Sequence, residues 1–224
     1  DKDKKVFVII SDALRYEIAE ELQRKITIED RYTASLEAVS SVLPSFTALG
    51  MAALLPHKNL ELNCNNGTVT ITADTLSTLG SAARAKVLSG KVPNSNVLAA
   101  EELNSLTKDD GRALFRENDI VYIYHNTIDS TGDDLTTEGK TFEAAENAIE
   151  EIIAMIKRLA GYNVTNIIVT ADHGFIYQNR ELPNDDFLSG EPAGTDIASI
   201  NRRFVIGKDL IPVDGLLKYD LETL

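Results

Sequence analysis

Three short apolar runs rich in β-branched residues constrain the fold of this chain more than any other feature, because acidic residues follow each of them. The runs span residues 5–11, 119–124 and 166–171, and the acidic groups beyond them are Asp12, Asp129 and the pair Asp172–His173. Nearly continuous apolar runs of this length are typical of parallel strands that are buried on both faces. The sequence therefore predicts at least three strands of a buried parallel sheet.

An amphipathic helix is predicted between the second and third runs. Apolar residues recur at spacings of three and four from Phe142 to Leu159, and acidic residues lie off that stripe. A strand, a helix and a strand in this order form a βαβ unit, so we predict an α/β fold with helices on both faces of the sheet. The carboxyl ends of its strands then share one edge, where open α/β sheets bind ligands. A helix N-cap role would explain Asp12 alone equally well, but not all three strands.

The segment from about 58 to 118 has a different pattern and is interpreted as an insertion within one domain spanning residues 1–224. Residues 67–72 alternate as a half-buried strand does, and residues 82–88 have helical spacing. Residues 91–95 are predicted to form a loop, and residues 99–115 a broken helix. We therefore expect this segment to decorate the sheet and not to form a separate domain.

Charge and composition exclude several classes of protein. The chain has 22 basic and 35 acidic residues, a net charge of -13, which argues against non-specific nucleic-acid binding through a basic surface. The excess of carboxylates is explained by solubility or by convergence on divalent cations. No run approaches the ~20 apolar residues of a membrane span. Cys64 is the single cysteine, so we expect no intrachain disulfide and a cytoplasmic location. Because the chain begins with Asp1, we expect it to be a piece of a longer protein.

Residues 44–57 are predicted to pass from a loop into a short helix with Thr47 in its first turn. Pro44 and Ser45 are start signals, and Pro56 ends the helix. Free backbone N–H groups in a first turn favour an anion, and a hydroxyl there can attack phosphorus if a metal lowers its pKa. The simpler alternative is that Ser45 or Thr47 only caps the helix, and the local sequence by itself favours capping.

Two clusters of polar residues have the composition of metal ligands. Asp172 and His173 offer a carboxylate and an imidazole, which suit Zn²⁺, Mn²⁺ or Fe²⁺ better than Ca²⁺ or Mg²⁺. The alternative is a core histidine that is hydrogen-bonded to an aspartate in a turn. Asp129 and Asp133 lie four residues apart around Gly132. They form either a turn without function or the second half of a two-metal site.

Four segments in sequence order resemble the PglZ domain of the alkaline phosphatase superfamily, as found in BREX bacteriophage-defence systems. The segments are residues 11–17, 43–57, 124–133 and 170–175. The resemblance implies an alkaline-phosphatase-like three-layer sandwich, with a mostly parallel central sheet flanked by helices. It also implies other BREX proteins as partners.

The same resemblance implies two divalent metal ions, usually zinc, with manganese or magnesium as alternatives. The ligands that it implies for the first ion are Asp12, Thr47, Asp172 and His173, and those for the second ion are Asp129 and Asp133. Thr47 is chosen over Ser45 as the nucleophile because it precedes Gly50 by three residues, as nucleophiles in phosphomutase relatives precede a glycine. Many superfamily members have a histidine in place of Asp133 and a further histidine later in the chain. No histidine follows His173, so we expect the second site to be incomplete in this chain.

The function that the resemblance implies is hydrolysis of phosphate esters, as a phosphatase or phosphodiesterase. The substrate is expected to be a phosphate ester, with a nucleotide or nucleic acid as options. Arg15, His125 and Asn126 are the candidate substrate contacts, although Arg15 also suits a surface ion pair with Glu20 or Glu21, and His125 could replace a missing metal ligand. The alternatives are a non-catalytic metal-binding scaffold and a phosphomutase, which needs a lid that the sequence does not clearly contain.

Overall fold

The fold is described by a computed structural model that covers residues 5–29, 31–65, 68–132, 141–175, 192–201, 204–211 and 213–220. Its centre is a parallel sheet with the spatial order β5-β6-β1-β7. The strands are β1 (Val6–Ser11), β5 (Ser95–Ala99), β6 (Ile120–His125) and β7 (Ile167–Thr170). The α/β fold and the parallel central sheet predicted from the sequence are confirmed.

Helices surround this sheet, and smaller antiparallel elements lie beside it. The helices are α1 (Tyr16–Ile28), α2 (Thr47–Ala53), α3 (Gly80–Lys91), α4 (Ala100–Ser105), α5 (Lys108–Glu117), α6 (Thr127–Gly132) and α7 (Thr141–Gly161). The antiparallel strands are β2 (Leu60–Asn65), β3 (Thr68–Ala73) and β4 (Leu76–Ser77) in one small sheet, and β8 (Asp196–Ile200) and β9 (Val205–Lys208) in a hairpin. None of the helices in the described part of the chain is long and apolar enough to cross a membrane.

The two faces of the central sheet are buried in different cores. Phe7, Ile9 and Ile123 point towards α1 and α7, where the apolar stripe predicted for α7 is buried. Val8 and Ile10 point the other way and share a core with residues of α2 and α3. Because successive side chains of a strand alternate between faces, the end of each strand presents one residue to each side. We call these sides the α7 face and the α2 face.

The segment predicted to be an insertion from about 58 to 118 is divided between the periphery and the central sheet. β2 to β4 form a small sheet of their own. β5, in contrast, pairs in parallel with β6, with Val97 opposite Tyr122, and Leu103 of α4 lies fully buried in the main core. The sequence prediction missed β5 because it is a short edge strand whose only large apolar residues are Val97 and Leu98.

Candidate metal centre

The carboxyl ends of β1 and β7 place Asp12 and Asp172 side by side. The two strands are hydrogen-bonded neighbours, with Ile10 opposite Thr170. The backbone N–H of Asp12 donates to His125 O at 2.8 Å, and that of Ala13 donates to Asp172 Oδ1 at 3.3 Å. Ala13 adopts a left-handed φ of 63°, which costs a non-glycine residue about 1 kcal/mol or more. The sheet and this turn together fix both carboxylates at one edge.

Helix α2 carries Thr47 into the same edge, and Gly50 makes the close approach possible. A Cβ atom at Gly50 would lie 2.5 Å from Asp172 O and 2.9 Å from Asp172 Cβ, closer than real contacts allow. The Tyr122 hydroxyl donates to Leu54 O at 2.9 Å and so ties the end of α2 to β6. Thr47 is the first residue of α2 and so lies in its first turn, as predicted.

Three side-chain oxygen atoms lie close to one ring nitrogen of His173. Nε2 lies 3.0 Å from Thr47 Oγ1, 3.3 Å from Asp12 Oδ1 and 3.4 Å from Asp172 Oδ2. The other ring nitrogen, Nδ1, lies 2.8 Å from Gly174 O. A carbonyl oxygen only accepts hydrogen bonds, so Nδ1 carries the proton, and in the neutral ring Nε2 presents a lone pair to the oxygens. A backbone partner of this kind commonly orients a metal-binding histidine.

The composition and burial of this cluster fit a divalent cation. Asp12, Asp172 and His173 are each less than 5% exposed, and their ligand atoms lie within 4.8 Å of one another. Asp12 Oδ1 and Asp172 Oδ2 are buried and have no hydrogen-bond partner among the described residues, although buried polar atoms are normally satisfied. Burial, followed by the negative charge of Asp172, raises the pKa of Asp12 to about 8. A cation bound by these atoms and the Thr47 hydroxyl would satisfy the two carboxylate oxygens and offset the repulsion between their negative charges. Two carboxylates with an imidazole suit Zn²⁺ or Mn²⁺.

The predicted second metal site is only partly within the described residues. Asp129 is half-buried on α6, near enough for its charge to raise the pKa of Asp12 further. Asp133 lies outside the described residues. The second site therefore stays a prediction.

The three predicted substrate contacts differ in their surroundings. His125 is buried and uses both ring nitrogens, with Ser11 Oγ 3.0 Å from Nδ1 and Glu151 Oε2 2.7 Å from Nε2. Asn126 is exposed beyond the end of β6. Arg15 forms its ion pair with Glu17 instead of Glu20 or Glu21. Its Nη1 atom also donates to Phe175 O at 3.1 Å. Contact of any of them with a substrate stays a prediction.

Sequence reasoning missed two side chains near the cluster, Arg84 and Tyr124. The guanidinium Cζ of Arg84 lies 4.9 Å from the centroid of the Tyr124 ring. The sequence predicts a strand through Tyr124 and an insertion that contains Arg84. No spacing in the sequence relates the two residues. The parallel strand pairing and the packing of α3 bring them together.

Comparison with known proteins shows to which family this chain belongs. The family model of the BREX system PglZ alkaline phosphatase-like domain matches residues 1–223. The chain belongs to the PglZ family. It is 46% identical over 215 residues to the alkaline phosphatase-like protein BrxZ of Escherichia coli O9:H4 (strain HS), covering 94% of this chain and 24% of BrxZ. It is 34% identical over 223 residues to the alkaline phosphatase-like protein PglZ of Bacillus cereus (strain H3081.97), covering 99% of this chain and 26% of that protein.

This PglZ-family chain spans about a quarter of the length of the two curated relatives it matches. The matched region includes both strand ends that carry the buried carboxylates and the helix that carries Thr47. The resemblance inferred from four short segments is thus confirmed over nearly the whole chain. A buried Asp–Asp–His cluster is compatible with metal binding in an alkaline phosphatase-like domain.

Proposed function

We propose that this chain is a metal-dependent phosphate-ester hydrolase domain, a phosphatase or phosphodiesterase that acts in the cytoplasm in BREX defence together with other BREX proteins. The observation that carries the proposal is the convergence of Thr47 Oγ1, Asp12 Oδ1 and Asp172 Oδ2 on His173 Nε2, within 3.4 Å. A hydroxyl, two buried carboxylates and an imidazole suit a divalent cation beside a nucleophile better than they suit a purely structural core.

The proposed metal ligands in this chain are Asp12, Asp172, His173 and Thr47 at a first site and Asp129 with Asp133 at a second site. Zinc is the expected ion, with manganese or magnesium as alternatives. Such ions supply Lewis-acid stabilisation of phosphoryl oxygens and lower the pKa of a bound hydroxyl.

The chain's own residues provide the nucleophile and its orientation. In the metal-free chain the Thr47 hydroxyl donates to the lone pair of His173 Nε2 at 3.0 Å, and a bound cation would take that lone pair in place of the hydroxyl. In the proposed reaction, Oγ1 of Thr47 forms a bond to phosphorus while the ester P–O bond breaks, and the alcohol departs with the proton that Thr47 gives up. Gly50 keeps α2 close to β7, so Thr47 is held in place by backbone packing. Arg15, His125 and Asn126 are retained as proposed substrate contacts.

The test is hydrolysis of an aryl phosphate monoester and diester, followed by intact mass spectrometry of the zinc-loaded chain. We expect a mass increase of one phosphoryl group that maps to Thr47 and is absent from Thr47→Ala. Thr47→Ala should cost at most about 1 kcal/mol of stability, so unfolding would not explain the loss. Steady turnover that is unaffected by Thr47→Ala would contradict the proposal. Zinc-dependent folding without turnover would instead favour a non-catalytic metal-binding scaffold.

A further inference from the structure

Arg84 lies on the same face of the central sheet as the helix that carries Thr47. Val87 and Leu88 of α3 are buried in one core with Met51 of α2 and with Leu55, just beyond that helix. α3 is thus packed beside α2 by apolar contacts that do not involve its charged residues. This packing fixes the backbone from which Arg84 extends.

The guanidinium of Arg84 is held in place but is not neutralised by an ion pair. Its Nε atom donates to Thr78 O at 3.1 Å, and its plane lies near the Tyr124 ring, with Cζ 4.9 Å from the centroid. Among the residues that the structure describes, no carboxylate lies within the 4.0 Å of an ion pair with Arg84. Arg84 is half-buried, and its hydrogen bond to Thr78 O uses Nε and not the two terminal nitrogens, whose planar fork matches phosphate oxygens.

Tyr124 links this arginine to the candidate metal centre. Its hydroxyl is buried and meets no hydrogen-bond acceptor among the residues that the structure describes. Tyr124 pairs with Ile10, two residues before Asp12, and the next residue of β6, His125, accepts a hydrogen bond from the backbone N–H of Asp12 at 2.8 Å. Tyr124 therefore lies at the strand end beside the cluster. A buried hydroxyl donor and a guanidinium fork therefore border the cluster on the α2 face.

We propose that Arg84 and the Tyr124 hydroxyl bind the non-bridging oxygens of the phosphoryl group that Thr47 attacks. This inference rests on the proposed function and assigns the segment between β4 and β5 a direct role in holding a phosphate ester. The cluster itself offers only negative and neutral ligands, so an anionic substrate needs a fixed positive group, and Arg84 supplies it. The anion would also give the Tyr124 hydroxyl the acceptor that the protein does not provide.

The experiment measures binding of inorganic phosphate to the zinc-loaded chain by isothermal titration calorimetry. We expect Arg84→Gln to weaken phosphate binding about tenfold or more, and Arg84→Lys to weaken it less, because lysine keeps the charge but loses the fork. Zinc content, measured by elemental analysis, should be the same in all variants. In turnover of an aryl phosphate, Arg84→Gln should raise KM more than it lowers kcat.

Arg158 provides a matched control on the α7 face. Like Arg84 it is half-buried, and it lies beside a tyrosine and a backbone carbonyl, with Nη1 3.2 Å from Tyr162 Oη and 3.4 Å from Leu106 O. Arg158→Gln should leave phosphate affinity unchanged, which separates loss of an anion site from general destabilisation.

The outcomes distinguish this inference from the proposed function. Wild-type phosphate affinity in Arg84→Gln, or no phosphate binding by the zinc-loaded wild-type chain, would overturn the inference, whatever Thr47→Ala does to turnover. If Arg84→Gln weakens phosphate binding but Thr47→Ala still turns over substrate, the anion site stands and the proposed role of Thr47 fails.

Discussion

The polar groups at the carboxyl edge of the central sheet differ in their hydrogen bonding between the two faces of the sheet. Tyr124 and His125 are adjacent at the end of β6 and point to opposite faces. On the α7 face, Ser11, His125 and Glu151 satisfy one another in a short hydrogen-bonded chain. On the α2 face, the buried Tyr124 hydroxyl has no hydrogen-bond acceptor in the described part of the chain, and buried oxygens of both carboxylates in the cluster have no donor there.

This difference identifies the side on which a ligand is missing. Buried polar groups that satisfy one another hold strands and helices together, and they need nothing else. Buried polar groups without partners are costly unless a ligand or ion completes them. The α2 face is therefore assigned to binding of the ion and the phosphoryl group, and the α7 face to structure, with His125 kept only as a proposed contact for the rest of the substrate. Four predictions test this division, from the largest expected effect to the smallest.

The largest expected effect is on metal binding, and it is tested by two substitutions, one on each face of the sheet. Asp172→Asn should lower metal affinity at least ~100-fold and remove about one bound ion per chain, because a buried ligand charge is lost. His125→Gln should retain that ion. Elemental analysis of the dialysed proteins measures both. Equal metal content in the two variants would contradict the proposal that the α2 face, and not the α7 face, binds the ion.

The second prediction concerns the pH dependence of stability without metal. The pKa of Asp12 is about 8 in the folded chain, against an ordinary value of 3.8. Between these values the folded chain binds a proton that the unfolded chain lacks, so the free energy of unfolding falls as pH rises. From pH 5 to 7.5 in the presence of a chelator, we expect the wild-type chain to lose about 3 kcal/mol of stability relative to Asp12→Asn, a difference that cancels the contribution of the histidines.

Two comparisons check that this pH dependence comes from Asp12. Chemical denaturation of Asp12→Asn should show a flatter pH profile under chelation, because an amide does not titrate. Zinc should bind more tightly as pH rises, since the carboxyl group must lose its proton, and it should offset the loss of stability. A chelated wild-type chain that gains stability relative to Asp12→Asn from pH 5 to 7.5 would contradict the assignment.

The third prediction tests whether backbone packing holds the α2 face together. Gly50→Ala places a Cβ atom 2.5 Å from Asp172 O, and we expect it to cost about 1–3 kcal/mol and to weaken metal binding. Gly90 of α3 is the matched control, because a Cβ atom there meets nothing within 4 Å. Gly90→Ala should stabilise the chain by up to about 1 kcal/mol. Equal effects of the two substitutions would show that the close approach is unimportant.

The smallest effect is expected from removing one hydroxyl on each face. Ser11→Ala deletes a hydrogen bond to a buried histidine and should cost about 1 kcal/mol. Tyr124→Phe deletes a hydroxyl that has no hydrogen-bond acceptor among the described residues, so without ligand it should cost less than Ser11→Ala. Thermal unfolding of the ligand-free proteins compares them. A larger loss for Tyr124→Phe would mean that its hydroxyl is already satisfied in the folded chain.

Much of the fold and of the cluster could be predicted because local patterns specify them. The apolar runs before Asp12 and Asp172 could only be buried strands, and parallel strands place their carboxyl ends at one edge. The apolar residues of α7 likewise recur at spacings of three and four, which indicate a helix. β5 was missed because a short edge strand with few apolar residues carries little local signal. Asp133 stays untested, because it lies outside the described residues.

The sequence by itself determined the α/β class, the edge at which the carboxylates meet and the helix that begins at Thr47, because each depends on the spacing of residues close together in the chain. Only the tertiary structure decided which polar groups are satisfied. The pairing of β1 with β6 joins Ser11 to His125, and the packing of α3 beside α2 brings Arg84 to Tyr124. These contacts depend on strand order and helix packing, which bring together residues that no local period connects.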